Sequence, residues 1–151
     1  MLKHRDWVGE ATVLFAIERP QHFTNFNHCD ECAEHDQTLL AHTPQSISLA
    51  EVGSPAWDPI TFCSVEGKIY FLPGLIRLCL ESIEDEFYFS QLLFHLEYDG
   101  HNNTLVQSLT SEQRQFVADF IAMMIECYPA GLEEYMCADE AFRALDIWST
   151  Q

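Results

Sequence analysis

Basic residues are scarce in this chain. Seven Lys and Arg stand against 24 Asp and Glu, a formal net charge of −17 on 151 residues. No Lys or Arg occurs between Arg19 and Lys68, an interval with seven acidic residues, or between Arg77 and Arg114, which holds seven more. A surface so short of cations repels nucleic acid and anionic membrane, so neither is expected as a partner. It attracts basic proteins over long range. Long apolar runs are also missing, and none approaches the ~20 residues of a membrane span. The start, Met1-Leu2-Lys3-His4-Arg5, is basic only briefly. Glu10 and Glu18 then interrupt the apolar stretch, a poor pattern for a signal peptide, so a cytoplasmic location is expected. There is no internal repeat. The glycines form no phosphate loop, and Ser64, Ser82 and Ser90 have no nucleophile-elbow context. The spacing of a calcium loop is absent as well.

Apolar content is plentiful. The chain is 48% hydrophobic and 13% aromatic, including 11 Phe. A disordered acidic tail lacks such content, so residues 1–151 are expected to fold as one domain. Helical periodicity dominates. Residues 6–18 read as a helix capped by Asp6 and ended by Pro20, and Asp30 to His42 reads as a second. Residues 73–83 are apolar nearly all round and predict a buried central helix. Tyr88 to Tyr98 predicts another. Thr110-x-x-Gln113 opens a long helix to Tyr128, and a last helix covers 132–147, with Leu132, Tyr135, Met136, Ala141, Phe142 and Leu145 on one face. Thr61–Val65 and Lys68–Leu72 flank Glu66-Gly67 and predict a small β-hairpin. The expected fold class is mainly α, a single compact helical domain with that one hairpin. Trp57, in the turn Trp57-Asp58-Pro59, is expected to plug the core.

Six cysteines occur in the chain. Cys79, Cys127 and Cys137 fall in apolar helical patterns and read as buried small hydrophobes. Cys29 and Cys32 are different. They lie in His28-Cys29-Asp30-Glu31-Cys32-Ala33-Glu34-His35-Asp36, where a C-x-x-C pair is followed three residues later by His35. Two thiolates and an imidazole within one or two turns make a partial Zn²⁺ site. If the segment is helical throughout, His28, Cys32 and His35 share one face. Cys29, Cys32, His35 and His28 are therefore the candidate ligands of a structural zinc. His22, His42 or Cys63 is a candidate to complete the shell. The start of a helix also lowers a thiol pKa, so the pair suits redox chemistry too, although no βαβ pattern surrounds it.

Four segments, 28–36 together with Gly53-Ser54-Pro55-Ala56-Trp57-Asp58-Pro59-Ile60, Tyr70-Phe71-Leu72-Pro73-Gly74-Leu75-Ile76-Arg77-Leu78 and Gln91-Leu92-Leu93-Phe94-His95-Leu96, resemble a family of small acidic bacterial proteins. That resemblance implies no particular activity. In size and charge the chain more loosely resembles immunity proteins of bacterial toxin systems, including those of type VI secretion. These are small cytoplasmic inhibitors that bind a toxin domain, often a nuclease. The likeness lies in character rather than motif, so it assigns no residue.

Two functions follow as expectations. The first is an immunity-type inhibitor with no catalytic residues, whose acidic surface fills the cationic groove of a basic toxin. Its candidate partner-binding residues are Glu81, Glu84, Asp85 and Glu86, with Glu133, Glu134 and Glu140 as a second patch. Phe87, Tyr88 and Tyr135 are candidate anchors. The alternative is a zinc-dependent hydrolase in which Cys29, Cys32 and His35 hold the metal and Glu31 or Glu34 is the general base.

Overall fold

Most helices of this computed structural model, which describes residues 4–150, begin at a side-chain cap. Asp6 caps α1 (Trp7–Leu14) by accepting from Gly9 N at 3.1 Å. Cys29 caps α2 (Asp30–Leu40), and Ser48 forms a capping box with Glu51 at α3 (Leu49–Val52). Ser64 caps α4 (Val65–Glu81). After α5 (Phe89–Glu97), Asn103 caps α6 (Thr104–Ser108). Thr110 and Gln113 complete both halves of the expected capping box at α7 (Ser111–Cys127). α8 (Pro129–Glu134) and α9 (Ala138–Ser149) close the chain. Each cap satisfies amide donors that the first turn leaves unpaired. Residues 1–3 of the basic start lie outside the described residues.

The helical class holds, but the hairpin does not: no strand occurs among the described residues. Pro59–Phe62 form a 3-10 turn, and the expected second strand lies inside α4. Two features decide this. Ser64 Oγ accepts from Gly67 N at 3.1 Å, which starts a helix at Val65, directly before the supposed turn. Gly67 serves close packing instead of a turn, since a Cβ there would strike Cys63 Sγ and crowd the Phe23 ring. The central helix therefore begins eight residues earlier than expected, and Pro73 lies within it.

The expected last helix is likewise two. Pro129-Ala130-Gly131 is the first turn of α8, and the chain breaks at Met136, which has φ +52°. That break turns Met136 out to 84% exposure and leaves Phe142 56% exposed, so neither joins the inner face. Trp57 is no core plug, being 43% exposed.

All nine helices of the described residues contribute to one continuous apolar core, through residues such as Trp7, Leu39, Val52, Phe71, Leu93, Leu105, Phe120, Leu132 and Trp148. α4 packs against α1, α5 and α6, while α9 packs against α5 and α7. Cys79 and Cys137 are buried as expected, and Cys127 is half-buried.

The few arginines are used internally. Arg19 donates to the Leu40 and His42 carbonyls, and Arg77 to those of Pro44 and Ile47. Arg5 lies between Glu10 (2.8 Å) and Asp119 (3.4 Å), 4.3 Å above the Trp7 ring. Guanidinium groups thus staple turns and helix ends, and among the described residues most surface carboxylates have no Lys or Arg within 4 Å.

Candidate functional site

Two regions gather functional side chains. The first is a cleft of about 550 Å³ between α5, the 53–61 turns and the start of α9. Glu86 and Glu140 face it together with Phe94 and Tyr135, and Asp58 and Gln91 form part of its wall. Phe94 is 51% and Tyr135 37% exposed. A second hollow of about 380 Å³ adjoins it through Glu86, Gln91 and Tyr135 and adds Asp85.

The loop that brings these groups together is strained. Glu86 and Phe87 have φ of +69° and +39°, in the left-handed region that non-glycine residues rarely enter. Each such residue costs on the order of 1–3 kcal/mol. Packing and hydrogen bonds offset the cost. Phe87 is 1% exposed and stacks on Tyr135 with ring centroids 5.5 Å apart. Gly131 lies against the Phe87 ring, where any Cβ would collide with it. Phe87 N donates to Ser82 O and Tyr88 N to Ser82 Oγ, both at 2.9 Å. The sequence pairing of Phe87 with Gly131 therefore joins the two acidic runs.

The partner-binding candidates separate on this geometry. Glu86 and Glu140 share the main cleft, and Asp85 lines the adjoining hollow. Glu84 is exposed on the same loop. Glu81 is paired with Arg77 at 3.1 Å. Glu133 and Glu134 are exposed on α8 and line neither hollow. Arg143 approaches Glu140 at 3.9 Å but sits closer to Glu97, at 3.1 Å. Of the anchor candidates, Tyr135 is accessible, whereas Phe87 and Tyr88 are core residues.

The groups behind the cleft lie outside the candidate site residues: His95 is a satisfied core histidine, and Asp58 anchors its turn. Asp58 Oδ2 lies 2.8 Å from His95 Nε2 and accepts from Gln91 Nε2 at 2.9 Å. Its Oδ1 accepts from Ile60 N at 3.0 Å. The available signal was Asp58 directly before Pro59, the pattern of a cap.

The second region is the start of α2. His28, Cys29 and Cys32 bring one nitrogen and two sulfurs within 4.8 Å of one another, a group able to hold a metal ion. Cys32 Sγ lies 3.3 Å from Cys29 Sγ and 3.7 Å from His28 Nδ1. Cys29 is exposed and caps the helix, and its sulfur accepts from Cys32 N at 3.4 Å. That amide, followed by the His28 and Cys32 side chains, pulls the Cys29 thiol pKa down to about 7. The Cys29 thiol, followed by burial, raises that of Cys32. By contrast, burial pushes Cys63 up to about 12.

His35 is not in this group. His28, Cys32 and His35 do not share a helix face, because α2 begins only at Asp30 and His28 lies in the preceding turn. His35 is fully buried, 4.7 Å from the Phe62 ring and 4.5 Å from that of Trp57. Its Nε2 is 3.5 Å from Glu31, and neither ring nitrogen makes a hydrogen bond. Glu34 is exposed one turn along α2. Of the proposed completing ligands, none of His22, His42 and Cys63 joins the group: His22 pairs with Asp36, His42 lies 3.7 Å from Glu51, and Cys63 packs on Gly67.

Asp36 holds the loop that carries His28. One carboxylate oxygen accepts from Phe23 N (2.6 Å) and Thr24 N (3.2 Å), and the other meets His22 Nδ1 at 2.7 Å. Thr24 Oγ1 then donates to Cys32 O at 2.6 Å. No helix among the described residues is long and apolar enough to cross a membrane. Comparison of the chain with protein-family models, with curated proteins and with solved structures finds no match.

Proposed function

We propose that this is a cytoplasmic acidic binding protein of the immunity type, which neutralises a basic toxin domain by docking its carboxylate-rimmed cleft on a cationic surface. The supporting observation is the joining of Glu86, Glu140, Phe94 and Tyr135 around one cleft, with no Lys or Arg among its lining residues. Carboxylates beside accessible rings suit an arginine or lysine side chain, through ionic hydrogen bonds and ring-face attraction. The α1–α7 groove shows the same chemistry with the chain's own cation, since Arg5 there lies between two carboxylates and over a Trp ring. The net charge of −17 supplies the long-range attraction that speeds such an encounter.

The test is capture of a partner from a lysate of the source organism at low salt, followed by measured binding of the purified pair. The reading expects one stoichiometric basic protein whose association rate falls steeply with salt. It also expects Glu86→Gln with Glu140→Gln to weaken that complex by at least tenfold. A complex indifferent to salt and to both substitutions would refute it. The alternative, a zinc-dependent hydrolase, is favoured by the His28–Cys29–Cys32 group. It requires loss of turnover in Glu31→Gln or Glu34→Gln, whereas the binding reading leaves both without effect.

A further inference from the structure

We infer that His28 Nδ1, Cys29 Sγ and Cys32 Sγ form a Zn²⁺ site with its fourth position open to solvent. The inference is separate from the acidic cleft. With Zn–S near 2.3 Å and Zn–N near 2.0–2.1 Å, a tetrahedral ion spaces two sulfurs about 3.8 Å apart and a sulfur and nitrogen about 3.6 Å apart. The observed separations, 3.3 Å between the sulfurs and 3.7 Å between Cys32 Sγ and His28 Nδ1, need only a few tenths of an ångström of adjustment. Two sulfurs and one imidazole favour zinc over magnesium or calcium, which take oxygen donors. Two thiolates also cancel the charge of the ion.

The surroundings hold the donors in place. Cys32 N donates to Cys29 Sγ, an outer hydrogen bond of the kind that orients a metal ligand. Thr24 Oγ1 donates to the Cys32 carbonyl. His28 N closes a turn on Asn25 O at 3.0 Å, so the imidazole leaves a short turn whose start is pinned at Thr24. His28 and Cys29 are exposed and Cys32 is buried, so the ion would enter from the surface and stitch the 21–28 turn to α2. The open fourth position suits water or a donor from a bound partner.

The experiment uses the full chain, reduced and freed of metal, titrated with Zn²⁺ against a chromophoric chelator in excess Mg²⁺. Co²⁺ is added in parallel. One equivalent of Zn²⁺ is expected, and Co²⁺ should give thiolate charge-transfer bands with tetrahedral visible absorption. Cys29→Ser, which keeps a helix-capping side chain, and Cys32→Ser should each weaken Zn²⁺ binding at least a hundredfold and abolish the thiolate bands. His28→Gln should shift the visible bands, while His35→Gln should leave affinity and spectrum unchanged. Zn²⁺ binding that survives Cys29→Ser undiminished, or Co²⁺ spectra without thiolate bands, would overturn the inference, because the ion would then sit on surface carboxylates. Failure of wild-type protein to bind more than the Mg²⁺-displaceable background would overturn it equally.

Discussion

Among the described residues, two Asp–His clamps with buried carboxylates look alike and do different work. Asp58 and His95 are both 3% exposed, and their pair is sealed between the 58–60 turn and α5. Asp36 is nearly as buried, at 4%, but its partner His22 is 47% exposed at the surface. In each case the carboxylate also takes backbone amides: Ile60 N for Asp58, and Phe23 N and Thr24 N for Asp36. Asp58 thereby supports the wall of the acidic cleft, and Asp36 positions the turn that carries the thiol–imidazole group. The two meet at Ser64, whose N donates to Phe23 O at 2.7 Å just after the turn that Asp58 caps. The same chemistry stiffens the interior at one place and tethers a surface loop at the other. The difference lies in the solvent access of the imidazole.

The comparison predicts unequal losses. Asp58→Ala leaves His95, Gln91 and the Ile60 amide without their carboxylate in a buried setting. It should lower unfolding free energy in urea by about 3–5 kcal/mol, the range for breaking a buried pair. Asp36→Ala frees two amides but leaves His22 able to turn to water, so the loss should be smaller, about 1–3 kcal/mol. Because Asp36 anchors the turn that leads to His28 without touching a ligand, the same substitution should weaken Zn²⁺ binding at His28, Cys29 and Cys32 by about tenfold, the low end for groups that orient ligands, while Asp58→Ala in folded protein leaves it unchanged. Equal stability losses, or equal effects on zinc, would erase the distinction.

The smallest effect concerns acid. Burial raises the Asp36 pKa, but hydrogen bonds from His22 and the Phe23 and Thr24 amides outweigh it and leave the group below its usual value. A carboxylate depressed in the folded state stabilises at pH values above its unfolded pKa of about 3.9, and that contribution fades as pH falls through the folded value. Unfolding midpoints measured from pH 6 downward, to about pH 2, should show a shallower acid decline in Asp36→Asn than in wild type. Parallel declines would remove Asp36 from the acid response.

Much of the helical layout was legible because caps and breakers are local. Asp6, Thr110 and Gln113 act as their positions announce. Gly67 and Pro129-Ala130-Gly131 misled because both carry turn signals. Their real constraint is contact with distant groups, the Cys63 sulfur for one and the Phe87 ring for the other. Trp57 and Phe142 differ from expectation in a similar way: each aromatic side chain has a position that suits burial, but the packing over His35 and the break at Met136 set their exposure.

By itself, the sequence determined the helical class, the acidic surface and the proximity of Cys29 to Cys32, because periodicity, net charge and a three-residue spacing all act over short distances. Tertiary structure decided which ligand candidates converge and which carboxylates share a cleft. His35 lies only three residues from Cys32, yet packing against Trp57 and Phe62 takes it into the interior. Glu86 and Glu140 are 54 residues apart in the chain, and the stack of Phe87 on Tyr135 helps bring them to one cleft. Such convergence depends on contacts between helices, which no local pattern encodes.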